Sequence, residues 1–161
     1  LNPRLPITRQ TVFGNIGNDS ISSSGSLAIL AAGGDGNDTI SGSSGDDTLV
    51  GDDGNDSLIG NDGVDFFFGG RGDDTFLGGE GGDIYTFGRD SGNDTIIDYG
   101  ADNFFDNTND NQIWLNSDLE LWDIDFTQSE NNLVLSISDT DDTLTIQGWY
   151  NPKPNFDSGE I

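Results

Sequence analysis

The chain has 161 residues, 30 acidic against 5 basic, for a formal net charge of −25, and it contains no His or Cys. That charge excludes direct binding to nucleic acid or to an anionic membrane surface. The absence of Cys and His excludes disulfides, thiolate or imidazole metal sites, and the commonest general base.

Of the acids 26 are Asp and 4 are Glu, alongside 24 Gly, a balance that places short carboxylates on tight turns rather than on helix faces. No apolar run approaches the length of a transmembrane helix. The chain opens at Leu1 without Met, which reads as a piece of a larger parent polypeptide. High charge with only 32% hydrophobic residues is the composition of a disordered chain, and it predicts disorder for the metal-free state.

In chain order, residues 1–13 read as an N-terminal arm, and 14–100 as a repeat region. A degenerate first block, Gly14-NIGNDSIS, keeps Gly17, Asp19 and Ile21 in register, and the next, around 23–32, has Ala28 where Asp is expected and one extra residue. Residues 33–86 then divide without gap into six blocks of nine, beginning at Gly33, Gly42, Gly51, Gly60, Gly69 and Gly78. The fourth position is always Gly (36, 45, 54, 63, 72, 81). The sixth is always Asp: Asp38, Asp47, Asp56, Asp65, Asp74 and Asp83. The eighth is always large and apolar: Ile40, Leu49, Leu58, Phe67, Phe76 and Tyr85. After Thr86 the pattern slips by two residues and recovers at Gly92-Asn93-Asp94-Thr95-Ile96.

These fixed columns resemble the repeats-in-toxin (RTX, haemolysin-type calcium-binding) family, whose G-G-x-G-x-D-x-U-x unit binds calcium in a β-helix. The expected fold is all-β: a calcium-bound parallel β-roll, a right-handed β-solenoid with two nonapeptides per coil, closed by a C-terminal β-strand cap. Each nonapeptide is expected to supply a six-residue turn and a three-residue strand, with glycines at positions one and four at positive φ. Position eight points inward and positions seven and nine outward. Repeat n then stacks on repeat n+2, eighteen residues away, giving two carboxylate ladders, Asp38–Asp56–Asp74 and Asp47–Asp65–Asp83.

Strands stack about 4.7–4.9 Å apart, close to twice a Ca–O bond of about 2.3–2.6 Å, so one Ca2+ fits between successive aspartates. Turn carbonyls near Gly34, Gly36, Gly45, Gly54, Gly63, Gly72 and Gly81 complete an all-oxygen shell. The ladders predict about four core ions, and the pairs Asp19–Asp38 and Asp74–Asp94 extend the count to at most six. The position-three acids Asp35, Asp53, Asp62 and Glu80 read as solvated, and position five (Asn18, Asn37, Asp46, Asn55) as turn backbone rather than ligands. Glycosylation sequons at Asn18, Asn37, Asn55 and Asn93 and the Arg71-Gly72-Asp73 tripeptide are products of the repeat. Val50, Phe66, Phe68 and Ile84 form an outward apolar stripe, to be covered by the chain's own arm or C-terminal segment, or by a neighbouring domain.

From residue 101 the glycines thin out. Segments 112–115, 123–127, 133–137 and 143–147 alternate as short strands of a cap spanning 101–150, with Trp114, Trp122 and Trp149 available to close the solenoid, and 151–161 form a loose tail. The cap resembles the region that follows the repeats in many haemolysin-type proteins. The resemblance implies a secreted or cell-surface protein of a Gram-negative bacterium, exported by type I secretion and folded by extracellular calcium. The partners expected are calcium and the rest of the parent polypeptide. A carbohydrate-binding or adhesive module is the alternative, with polysaccharide as its partner, although basic residues are scarce. No catalytic role is expected, because aspartates that ligate an ion are unavailable as acid or base.

Overall fold

The computed structural model describes residues 9–97 and 111–149. The expected tail, the first eight residues of the arm and the first ten of the cap lie outside the described residues. The described chain is almost entirely β. Odd-numbered strands β1 (Gln10–Ile16), β3 (Ile29–Asp35), β5 (Thr48–Asp53), β7 (Phe66–Arg71), β9 (Ile84–Phe87) and β11 (Gln112–Leu115) form one parallel wall in that order. Even-numbered strands β2 (Ser20–Ser22), β4 (Thr39–Ser41), β6 (Ser57–Asp62), β8 (Thr75–Glu80) and β10 (Asn93–Ile96) form the second wall, also parallel. Thr48 pairs with Phe66 and Ser57 with Thr75, so the register between coils in the regular region is eighteen residues. This is the parallel β-solenoid the repeat predicts.

The core is thin. Ile40, Leu58, Phe76 and Ile96 from the second wall meet Leu49, Phe67 and Tyr85 from the first, all with no exposure. Phe67 stacks on Tyr85 at 5.0 Å, and Phe76 stands edge-on to Phe67 at 5.9 Å. One inward side chain per nine residues leaves little apolar area to offset the entropy of ordering the other eight.

Four local expectations need correction. Strands such as Thr48–Asp53 run six residues, passing straight through the position-one glycine. That glycine is not left-handed; positive φ falls at positions two and four, as at Asp52 (77°) with Gly54 (143°) or Asn61 (81°) with Gly63 (121°). The strand therefore runs through the left-handed residue at position two and ends at position three. In the irregular second block Ile29, not Ala28, takes the sixth position, because Leu30 pairs with Thr48 and the Ile29 amide meets the Asp47 carboxylate. Finally, only Trp149 packs against the core. Trp114 stands on the outer face of the first wall, edge-on to Phe66 at 5.7 Å, and so covers part of the apolar stripe, while Trp122 is exposed.

The cap extends the second wall. β14 (Thr143–Ile146) pairs in parallel with β10, placing Leu144 beside Asp94, and β13 (Asn132–Ile137) and β12 (Ile124–Ser129) follow antiparallel. Asp142 fastens the cap to the last coil, accepting from the Gly92 amide at 2.7 Å and the Asp90 amide at 3.1 Å. Burial alone would raise its carboxyl, but hydrogen bonds with Thr140, Gly92 and Asp90, together with Arg89, hold it below the usual range. Arg89 in turn pairs with Asp139 and approaches Asp118 at 3.6 Å and Asp123 at 3.7 Å. Among the described residues no helix is long and apolar enough to cross a membrane.

Candidate metal centre

Position six precedes each strand at the point where the chain leaves the turn, so its side chain folds back over the turn that carries it. Asp38, Asp47, Asp56, Asp65, Asp74, Asp83 and Asp94 are all buried, none more than 2% exposed, and Asp19 is half-buried. The second wall aligns Asp19, Asp38, Asp56, Asp74 and Asp94. Each Oδ1 accepts the backbone N–H of the aspartate one coil earlier: Asp38 from Asp19 at 2.7 Å, Asp56 from Asp38 at 2.7 Å, Asp74 from Asp56 at 2.8 Å, and Asp94 from Asp74 at 3.0 Å. The first wall repeats the pattern with Asp65 on the Asp47 amide at 2.7 Å and Asp83 on the Asp65 amide at 2.9 Å. All eight predicted residues therefore sit on two ladders.

The second carboxylate oxygen is the informative one. Oδ2 of Asp19, Asp38, Asp56, Asp65 and Asp74 is buried with no hydrogen-bond partner. A buried charged oxygen without a donor is costly, and native structures rarely leave one so. The space beside it is lined by oxygen. A Cβ built on Gly51 would lie inside 3.0 Å of both Asp56 Oδ2 and the Gly69 carbonyl oxygen of the next coil, and one on Gly60 would meet Asp65 Oδ2 and the Gly78 carbonyl in the same way. At position four a Cβ on Gly54 would strike the Gly36 carbonyl. The position-one glycines Gly51 and Gly60 thus leave a cradle where a carboxylate and a carbonyl of the next coil converge. Among the described residues no three carboxylates gather in one place, so any ion held here draws on backbone oxygens as well. That donor set, oxygen alone and partly from the backbone, suits Ca2+ better than a softer metal.

Filling the cradle tests its importance. Gly51→Ala puts a methyl group where two oxygens already lie, and the expected cost is about 1–3 kcal/mol of stability in the calcium-loaded protein. Thr48→Ala, on the outer face of the same strand, is expected to cost less than about 0.5 kcal/mol. Equal melting temperatures for the two variants would show that the cradle has room to spare.

Burial dominates the electrostatics. It pushes the Asp74 carboxyl up to about 8 and those of Asp65 and Asp94 up to about 7, against hydrogen bonds from the preceding amides that pull the other way. Asp56 is raised for the same reason. At Asp65, Asp74 and Asp94 the surrounding protein by itself does not keep the carboxylate fully ionised near neutral pH.

Three features escaped the sequence reading. Asn111 forms the next rung on the first wall, its Oδ1 accepting the Asp83 amide at 2.6 Å, although it lies 28 residues beyond. Position five is not mere turn backbone. Asn18, Asn37 and Asn55 each accept the amide of the position-five residue one coil later at 2.9–3.1 Å, and Asp46 does so from Val64. That outer ladder runs opposite in sense to the inner one. The turn carrying Asp47 also differs, since both Asp47 oxygens already have donors.

Residues 31–58, 50–85 and 59–96 match the family model of the RTX calcium-binding nonapeptide repeat (4 copies). Residues 132–159 match that of the haemolysin-type calcium binding protein related domain. Comparison with the curated proteins gives no match. Among solved structures the chain is similar to the extracellular lipase LipA from Serratia marcescens, at 19% identity and a TM-score of 0.45, over 87% of this chain and 36% of that one. The chain thus spans about a third of the length of that lipase.

Proposed function

We propose that this chain, which carries RTX calcium-binding nonapeptide repeats over residues 31–96 and a haemolysin-type calcium-binding-related domain over 132–159, is a module whose folding is triggered by extracellular calcium. The observation that carries the reading is the row of buried carboxylate oxygens without donors at Asp19, Asp38, Asp56, Asp65 and Asp74. At Asp19, Asp56 and Asp65 that oxygen converges with a backbone carbonyl from the next coil, an arrangement a divalent cation would complete. Asp38, Asp56 and Asp74 on one wall and Asp65 and Asp83 on the other are the side-chain ligands, with Asp19 and Asp94 extending the second wall. When bound, Ca2+ supplies the positive charge that lets these carboxylates stay ionised in a dry interior.

The biological consequence follows from concentration. Extracellular calcium modules work with sites of about 10⁻⁴–10⁻³ M, so a chain of this kind stays open inside a cell and closes outside it. This favours export of an unfolded chain by type I secretion, followed by folding that stabilises the larger extracellular protein to which the module belongs. A role in gripping an anionic polysaccharide is served poorly, because Arg71 faces Asp53 at 3.6 Å and Arg89 is held by the cap acids. Calorimetric titration tests the reading: wild type is expected to bind several calcium ions at about 10⁻⁴–10⁻³ M, and Asp56→Ala, at mid-ladder, to bind fewer and more weakly. Absence of binding up to about ten times that concentration would overturn it.

A further inference from the structure

The sixth-position column places Asp47 on the same footing as Asp65 and Asp56, and the structure does not. Asp47 Oδ2 accepts the Ser43 amide at 2.6 Å and its Oδ1 accepts the Ile29 amide at 2.7 Å, so both oxygens already have donors, although a Cβ on Gly42 would still meet Asp47 Oδ2 and the Gly60 carbonyl. Ser43 is 4% exposed and tied in from both sides. Its hydroxyl lies 2.9 Å from the Leu27 carbonyl and 3.2 Å from Asp47 Oδ1, and it accepts the Gly45 amide at 3.1 Å. The backbone of this turn is different too. Where neighbouring turns place left-handed residues at positions two and four, as at Asp52 and Gly54 or Asn61 and Gly63, neither Ser43 nor Gly45 has positive φ. The rung before it is Ile29, an apolar side chain with no oxygen to offer.

We infer that the Asp47 turn is closed by the protein itself and takes no ion, the Ser43 amide standing where a cation stands in the neighbouring turns. A carboxylate held by two charge-assisted amide bonds is already neutralised in part and satisfied geometrically. Entry of Ca2+ would have to expel the Ser43 amide and break the hydroxyl's contact with Leu27. Ser at position two is also less suited to the left-handed backbone than the Gly, Asp or Asn found there in the neighbouring turns. Calcium loading of the first wall therefore begins at Asp65, one rung later than the repeat pattern implies, and the second wall carries the larger share of ions. The inference rests on the calcium reading above and narrows it to particular turns.

Counting bound calcium by native mass spectrometry on the intact chain separates the two claims. Asp47→Asn is expected to hold as many ions as wild type, Asp65→Asn at least one fewer, and Ser43→Gly one more, because glycine frees the turn to adopt its neighbours' backbone. Loss of an ion from Asp47→Asn overturns the inference while leaving the calcium reading intact, and so does a Ser43→Gly protein at the wild-type count. If Asp47→Asn fails to fold, Ser43→Gly alone decides. A wild-type chain with no bound calcium defeats the broader reading instead.

Discussion

Removal of divalent ions is expected to abolish most of the β-sheet circular dichroism, and millimolar calcium to restore it in one cooperative step. The reason lies in what the ladders ask of the protein. Aspartates stand one strand spacing apart in the dry interior, four on one wall (with half-buried Asp19 before them) and three on the other, in a chain whose net charge is −25. Carboxylates that close repel one another more strongly than in water, because the interior screens them less. Against this the fold sets one inward side chain per repeat and backbone hydrogen bonds whose net worth is modest. Bound cations reverse the balance, and since no cradle exists until two coils stack, binding and folding are a single event. Magnesium is expected to restore the signal poorly at the same concentration, since it gives up its water reluctantly and demands a tighter octahedron. A strand signal that survives complete removal of calcium would show that the thin core suffices.

The coil itself was legible because its determinants recur at fixed spacing. Ile40, Leu58 and Phe76 and their partners Leu49, Phe67 and Tyr85 were read as inward from the eighth column alone, and each is fully buried. The cap strands were legible from alternation, which holds as Leu133, Leu135 and Ile137 facing in. Other features depend on contacts the string does not encode locally. Position two is left-handed through Gly34, Asp52, Asn61, Gly70 and Gly79, five residues of three types, so no column marks it. The position-one glycine is fixed by the returning aspartate, and at Gly42, Gly51 and Gly60 by a carbonyl one coil away, not by its own dihedral. Asn111 is hidden by its sequence distance from β10 and by being an amide, and it is recognisable only because Gln112 pairs with Ile84. Asp142 meets the last coil only when β14 docks beside β10.

Acid is expected to act on the two states of the protein in opposite directions. In the metal-free fold, burial raises Asp74 to about 8 and Asp65 and Asp94 to about 7, from an ordinary value of 3.8 that the unfolded chain retains. Between about pH 8 and pH 4 the folded form therefore binds more protons than the unfolded one, and stability falls as pH rises through that window. A chain desalted into calcium-free buffer should be least structured near pH 8 and gain strand signal as the pH is lowered toward 5, where protons discharge the buried carboxylates. The gain ends near pH 4, where the unfolded chain takes up protons as well. Calcium binding runs the other way, since each ligand must be ionised and protons compete for it. The calcium concentration needed for half-folding should accordingly rise as pH drops from 8 to 6. Circular dichroism across a matrix of pH and calcium reads both slopes at once. A metal-free chain equally unstructured at pH 8 and pH 5, with a calcium midpoint that does not move, would mean that the ladder aspartates are solvated rather than buried.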